Sequence, residues 1–405
     1  MRLKAFFKDS KNLLFLVLLT TTLACGSKNQ TNVVEVPEQT IKEIPKSIKV
    51  GAERIEKYLP LLEGKKVAVV ANQSSLIGNT HLVDSLLSLA VDIHCVFAPE
   101  HGFRGKEDAG AIIKDGKDIR TGLDIISLHG KSKKPSVAQL EGVDLVVFDL
   151  QDVGARFFTY ISSLHYLMEA CAENQIPLLI LDRPNPNGHY IDGPILEMKH
   201  RSFVGMHPIP IVHGMTIGEY GQMINGELWL ANQVTCDLQV ITCENYTHQD
   251  SYELPVRPSP NLPNMQSINL YSSLCFFEGT PVSLGRGTDF PFQVYGSPEW
   301  ENESFQFTPR PSFGAKYPKN DGKICYGEDL RNYKRLDHIN LEWLVAAYHK
   351  SDSTNFFTPH FTLLAGTDKL KQQISAGMTA KEIRDSWQSD LKLFQQKRAK
   401  YLLYK

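Results

Sequence analysis

Val91-Asp92-Ile93-His94-Cys95-Val96-Phe97-Ala98-Pro99-Glu100-His101-Gly102-Phe103-Arg104-Gly105 is the stretch on which the fold turns. Its first seven residues form an apolar run of the length expected of a buried strand. Pro99 stops that strand, and a loop bracketed by glycines follows. Glu100, His101 and Arg104 therefore arrive together at the carboxyl end of a strand, the edge at which open α/β sheets bind ligands. One such loop is equally well explained as a polar turn closed by a salt bridge. Recurrence of the pattern along the chain is what favours a site.

Upstream, Lys66–Val70 reads as a buried strand ending near Asn72 and Gln73, and His81–Ala90 as a helix with Leu82, Leu86 and Leu89 on one face. Downstream, Lys106–Lys134 is polar and Gly-rich, with a short apolar piece at Ile125–Leu128. Asp144–Phe148 is a further strand, ending in Asp149, Asp152 and Arg156. Thr159–Asn174 has helical spacing, and Ile176–Leu181 is a strand ending in Asp182, Arg183 and Asn185. Thr216–Leu230 reads as a helix with Thr216 as N-cap and Glu219 completing a capping box; Asp237–Thr242 is another strand. Apolar, non-alternating strands between helices predict an α/β fold: a Rossmann-like parallel sheet with helices on both faces. Near Pro255 the character changes to Pro-, Gly- and aromatic-rich loops, with weak helical patterns at Leu341–Tyr348, Leu370–Ile374 and Ala380–Tyr404. The expected division is a Rossmann-like domain over 51–254 and a smaller α+β domain over 255–405 that closes over it.

The chain has 405 residues, 42% hydrophobic and 22% charged, enough for more than one core. A formal net charge of −2 gives no basic excess, so a nucleic-acid partner is not expected. Residues 1–25 read as a lipoprotein signal peptide. Arg2, Lys4, Lys8 and Lys11 precede a short apolar segment, and Thr22-Leu23-Ala24-Cys25-Gly26 places a small residue before a Cys. An ordinary signal peptide cleaved near Ala24 is the alternative. Cys25 is the expected lipidation site, residues 26–50 a polar tether, and the bacterial envelope, facing the periplasm, the expected location. Six cysteines remain, without a CxxC pair. Cys95 and Cys171 are expected buried and free, and Cys236 and Cys243 are too far apart on an extended segment to bridge.

Four polar clusters thus converge on one sheet edge. Each has a structural explanation by itself: a cap, a turn, an internal ion pair. Together they suit a polar, hydroxyl-rich ligand, with carboxylates as acid, base or hydroxyl acceptors and arginines for an anionic group. No GxGxxG follows the first strand, so no dinucleotide cofactor is expected. Neither GxSxG nor HExxH occurs; His94, His101 and Asp149 are a weak candidate metal set, and no metal is assigned. Glu100 lies beside Phe97 and Phe103, an environment that raises a carboxyl pKa and suits a proton donor.

The motifs Pro99–Gly105, Asp149–Arg156 with Thr159-Tyr160, Asp182–Pro186, His213–Thr216, Ser259–Pro263 and Glu278–Thr280 together resemble the exo-acting β-N-acetylmuramidase family of peptidoglycan hexosaminidases. The resemblance runs from about Gly51 to the C-terminus. It implies a cleft between two domains and a terminal, non-reducing N-acetylmuramic acid as substrate, with the catalytic Glu matched by Glu100. Candidate catalytic residues are then Glu100 as general acid, with His101, Asp149 or Asp152 as partner, or the substrate's own 2-acetamido oxygen in place of a second carboxylate. Candidate substrate-binding residues are Asn72, Arg104, Arg156, Tyr160, Asp182, Arg183, Asn185, His213, Asn261, Glu278 and Arg286. For the sugar's lactyl carboxylate, Arg156 ranks before Arg183 and Arg286. A non-catalytic glycan-binding lipoprotein and a metal-dependent esterase are the competing readings, since fold alone does not decide function.

Overall fold

A computed structural model describes residues 47–105, 115–130 and 132–404; the expected signal peptide, Cys25 and most of the expected tether lie outside them. In chain order, α1 (Ile55–Leu62) precedes β1 (Lys66–Ala71), a short hairpin of β2 (Leu76–Ile77) and β3 (Thr80–His81), α2 (Leu82–Ser88) and β4 (Asp92–Ala98). Then come β5 (Gly116–Lys117), β6 (Asp124–Ser127), β7 (Leu145–Asp149), α3 (Tyr160–Glu173), β8 (Leu178–Leu181), α4 (Ile217–Gly226) and β9 (Leu238–Ile241).

Seven of these strands form one sheet, ordered β5-β6-β4-β1-β7-β8-β9. All its pairings are parallel except β5 with β6. The sequence left Ile125–Leu128 unassigned; it supplies β6, and β5 adds an antiparallel edge that polar composition concealed. Numbered along the chain, the parallel strands lie 3-2-1-4-5-6, the Rossmann order, which reverses direction between β1 and β7. Ala71 is in register with Asp149 at that reversal.

Alternation of side chains splits the sheet's apolar residues between two cores. Val67, Val69, Val147 and Leu179 pack with Leu62, Leu82 and Leu86 of α1 and α2. Ala68, Val70, Val146, Phe148 and Ile180 face the other way, onto Leu164 and Leu167 of α3 and Tyr220 of α4. Burial on both faces is why these strands read as continuous apolar runs.

The second, smaller domain contributes α5 (Met265–Leu274), β10 (Val294–Ser297), β11 (Phe305–Phe307) and β12 (Cys325–Asp329), then α6 (Glu342–Lys350), α7 (Pro359–Ala365), α8 (Lys369–Ser375), α9 (Ala380–Ser386) and α10 (Gln388–Arg398). Its three-stranded antiparallel sheet runs β10-β12-β11. Leu270, Phe276, Phe361 and Trp387 join the same apolar cluster as Val70 and Phe148, so this domain sits on the α3/α4 side. Two helices are shorter than expected. The pattern over Ala380–Tyr404 breaks at Trp387, whose indole donates to Asp192 Oδ1 at 3.0 Å. That over Thr216–Leu230 ends at Gly226, with Leu228 in the left-handed region. All six described cysteines are buried and free.

Candidate active site

Backbone geometry first brings Glu100 into place. His101 and Gly102 both take positive φ, 73° and 75°, and Gly102 N–H donates to Pro99 O at 3.0 Å. Two consecutive left-handed residues reverse the chain just beyond β4 and leave Glu100 at the turn. Thr159 Oγ1, immediately ahead of α3, donates to Glu100 Oε2 at 3.0 Å. Tyr160 lies behind: its hydroxyl accepts from Asn72 Nδ2 at 2.7 Å and lies 3.5 Å from the carbonyl oxygens of Glu100 and Pro258. Burial pushes the Tyr160 hydroxyl pKa well up, keeping it neutral. Asn72 is pinned by Ser74 and Ser75, and Ser75 Oγ donates to Asp149 O at 2.5 Å across the switch point. β1, β4, β7 and α3 therefore fix Glu100 jointly.

In front of Glu100 lies a cleft of about 590 Å³. Glu100, Phe157, Thr159 and Val204 line it from the larger domain; Tyr271, Glu278, Arg286, Lys316, Tyr317, Lys319 and His360 line it from the smaller one. A deeper recess of about 70 Å³ adds His101, Phe158, Tyr160 and Asn261. The volume of the main cleft suits one or two sugar rings. Glu100 and Glu278 are the carboxylates among the described lining residues. Arg286 Nη2 lies 2.6 Å from Glu278 Oε1, and its guanidinium sits 5.3 Å from the centre of the Phe292 ring. Lys319 Nζ donates to Phe277 O at 2.7 Å, to Glu278 O at 3.0 Å and to Thr280 O. Burial pulls the Lys319 pKa down. A separate groove of about 360 Å³, floored by Leu196, Leu370, Trp387 and Phe394, shares no lining residue with this cleft and holds no expected site residue.

Of the expected residues, Glu100, His101, Tyr160, Asn261, Glu278 and Arg286 line the cleft or its recess, and Asn72 supports them from one bond away. The remainder are engaged away from the cleft. Arg156, ranked first for the lactyl carboxylate, is wholly buried and donates to four backbone carbonyls, those of Pro194, Ile209, Leu364 and Ala365. Arg183 grips Asp149 with two hydrogen bonds, at 2.5 and 2.9 Å, so neither residue is available to a ligand. Asp182 accepts from Thr216 Oγ1, Tyr404 hydroxyl, Gly218 N–H and Arg183 N–H; burial pushes its pKa up to about 6. Asp152 accepts from Gly154 N–H and lies 3.8 Å from His213 Nε2 in the interior. Burial pushes Asp152 up to about 7 and pulls His213 down to about 3. Asn185 holds Met215 O and Asn187 N–H in a buried turn. Arg104 turns away to Asp118, at 2.7 and 2.9 Å, and to Asp84. Among the described residues no group of His, Cys, Asp or Glu is placed to hold a metal ion, so the set His94, His101 and Asp149 does not assemble.

Sequence reasoning missed Thr159 as the partner of Glu100, although Thr159-Tyr160 stands in a recognised motif. It also missed Lys316, Tyr317 and Lys319, which sit in an irregular segment without periodicity or motif, and His360, which lies at the start of the short helix α7.

Comparisons with known proteins agree with this architecture. The family model described as exo-beta-N-acetylmuramidase NamZ, N-terminal, matches residues 67–266, and its C-terminal counterpart matches residues 269–404. Peptidoglycan beta-N-acetylmuramidase NamZ of Bacillus subtilis is 35% identical over 412 residues, covering 95% of this chain and 96% of that protein. Crystal structures of two DUF1343 family proteins from Bacteroides fragilis are also similar. One is 48% identical with a TM-score of 0.84, over 89% of this chain and 99% of that one. The other is 27% identical with a TM-score of 0.75, over 88% and 99%.

Proposed function

This chain belongs to the exo-β-N-acetylmuramidase family, and we propose that it releases terminal, non-reducing N-acetylmuramic acid from peptidoglycan fragments. The observation that carries this reading is the placement of Glu100 in a two-domain cleft, held by the Thr159 hydroxyl. Glu100 donates a proton to the linking oxygen as the glycosidic bond breaks. Because Asp149 and Asp152 are turned inward, Glu278 is the second carboxylate on offer; the sugar's own acetamido oxygen is the competing nucleophile. With Arg156 and Arg183 engaged inside the protein, Arg286 is the arginine left to receive the lactyl carboxylate, beside Lys319.

The anchoring reading is part of the same proposal. Signal-peptide removal leaves Cys25 lipidated, and the domain acts in the bacterial envelope, facing the periplasm, at the end of a tether. A domain boundary near 254/255 belongs to it too. A Cys25→Ser variant should then lose palmitate labelling and leave the membrane fraction; unchanged fractionation would overturn the anchor.

The enzymatic reading is tested with a chromogenic β-N-acetylmuramide, the matching β-N-acetylglucosaminide and a Glu100→Gln variant. Release from the muramide alone, falling about 10²–10⁴-fold in the variant, is expected. Full activity in Glu100→Gln removes Glu100 from its role. Release from neither substrate by the unaltered protein, with muropeptide binding retained, establishes a binding protein instead.

A further inference from the structure

We propose that Tyr317 is the platform for the sugar on the leaving-group side of the scissile bond. This inference rests on the glycosidase reading of the same cleft. Tyr317 is 87% exposed, yet it lines the cleft that contains Glu100. A ring so bare adds little to folding, and aromatic rings presented at a binding surface are characteristic contact residues.

The backbone around it is tied on both sides. Before it, Ser312 and Ala315 exchange backbone hydrogen bonds at 3.1 and 3.0 Å, and Gly314 O accepts from Asn261 Nδ2 at 2.7 Å. After it, Lys319 is bound to the carbonyls of Phe277, Glu278 and Thr280. Tyr317 thus projects from a short span clamped at both ends, so the backbone that presents its ring is ordered before binding and only the side-chain rotamer remains to be fixed. The Lys316 ammonium lies 5.5 Å from the ring centre.

Chemistry orders the two subsites. The inner cleft, with Glu100, Glu278, Arg286 and Lys319, is where the acidic sugar is held and its linking oxygen is protonated. A chain cleaved from its end must continue from that point towards solvent. Tyr317, with its ring in solvent, stands where the chain leaves. The C–H face of an N-acetylglucosamine ring can lie on an aromatic ring, and the phenol adds a hydrogen-bonding tip.

Two substrates separate the subsites: the disaccharide of N-acetylmuramic acid β-1,4-linked to N-acetylglucosamine, and β-N-acetylmuramyl fluoride, whose leaving group cannot reach Tyr317. In Tyr317→Ala, KM for the disaccharide is expected to rise about 3- to 10-fold with kcat unchanged, as for the loss of one aromatic contact made equally in ground and transition states. Kinetics on the fluoride should not move, and Tyr317→Trp should restore the disaccharide KM. Equal losses on both substrates, or no change on either, would overturn the platform. Release from neither substrate by the unaltered protein would instead remove the glycosidase reading, and the platform with it.

Discussion

The turn after β4 and the turn after β8 look alike in sequence and do opposite work. Each follows an apolar strand of one parallel sheet, and each opens with acidic and basic residues: Glu100, His101 and Arg104 in one, Asp182 and Arg183 in the other. After β4, two left-handed residues swing Glu100 into the cleft. After β8, the chain stays inside: Asp182 caps the first turn of α4, and Arg183 neutralises Asp149. The first step of α4 is fitted to this, since a Cβ on Gly218 would lie 2.7 Å from Asp182 Cγ. Strand-end polarity therefore marks candidates, and what separates the two turns is enclosure: Asp182 and Arg183 are buried among their partners, while Glu100, although it accepts from Thr159, keeps a face on the cleft.

Reciprocal variants can break that comparison. Glu100→Gln should cut turnover about 10²–10⁴-fold while leaving the melting temperature unchanged. Arg183→Ala should do the reverse. It leaves Asp149 buried and unpaired, for a loss of roughly 3–5 kcal/mol in chemical denaturation, while the fraction that remains folded still hydrolyses substrate. An Arg183→Ala protein of full stability would show that the β8 turn is not structural.

A smaller effect sharpens the comparison through pH. Burial raises the folded pKa of Asp152 from 3.8 to about 7. The folded state then binds more protons than the unfolded one across that window, so this group's contribution is present at low pH and lost as pH rises towards 7. His213 opposes it: its folded pKa is lowered to about 3, so its contribution grows as pH rises from about 3 to its ordinary value near 6.5. Asp152→Asn should remove the first contribution. Relative to the unaltered protein, its melting temperature should be higher at pH 8.5 than at pH 5, for a differential of roughly a few kcal/mol. Identical shifts at both pH values would mean that Asp152 is ionised in the fold at both.

The larger domain was legible in the sequence because a doubly covered sheet writes its strands as apolar runs, and Glu100 was legible because Pro99 and Gly102 frame it. The roles of Arg156 and Asp182 were not. Arg156 is claimed by carbonyls 208 and 209 residues away, and Asp182 by a hydroxyl 222 residues away. No local pattern carries that information. The small sheet was hidden for another reason. β10 and β12 oppose Gly296 to Gly327, and a Cβ on Gly327 would come within 2.0 Å of Tyr295 O. Strands that need glycine at their closest approach lose the alternation by which strands are recognised.

The bond from Tyr404 to Asp182 closes the longest loop described above. Tyr404 hydroxyl donates to Asp182 Oδ2 at 2.6 Å and accepts from Cys243 N–H at 2.8 Å, joining the turn after β8 to the strand-end segment beyond β9. The 222 residues between the two partners close a loop whose entropic cost grows only with the logarithm of its length. Until that loop closes, Asp182 keeps its bonds from Arg183, Thr216 and Gly218 and lacks the one from Tyr404. The β8 side of the sheet is thus fastened by a clasp that the smaller domain must first pack in order to deliver.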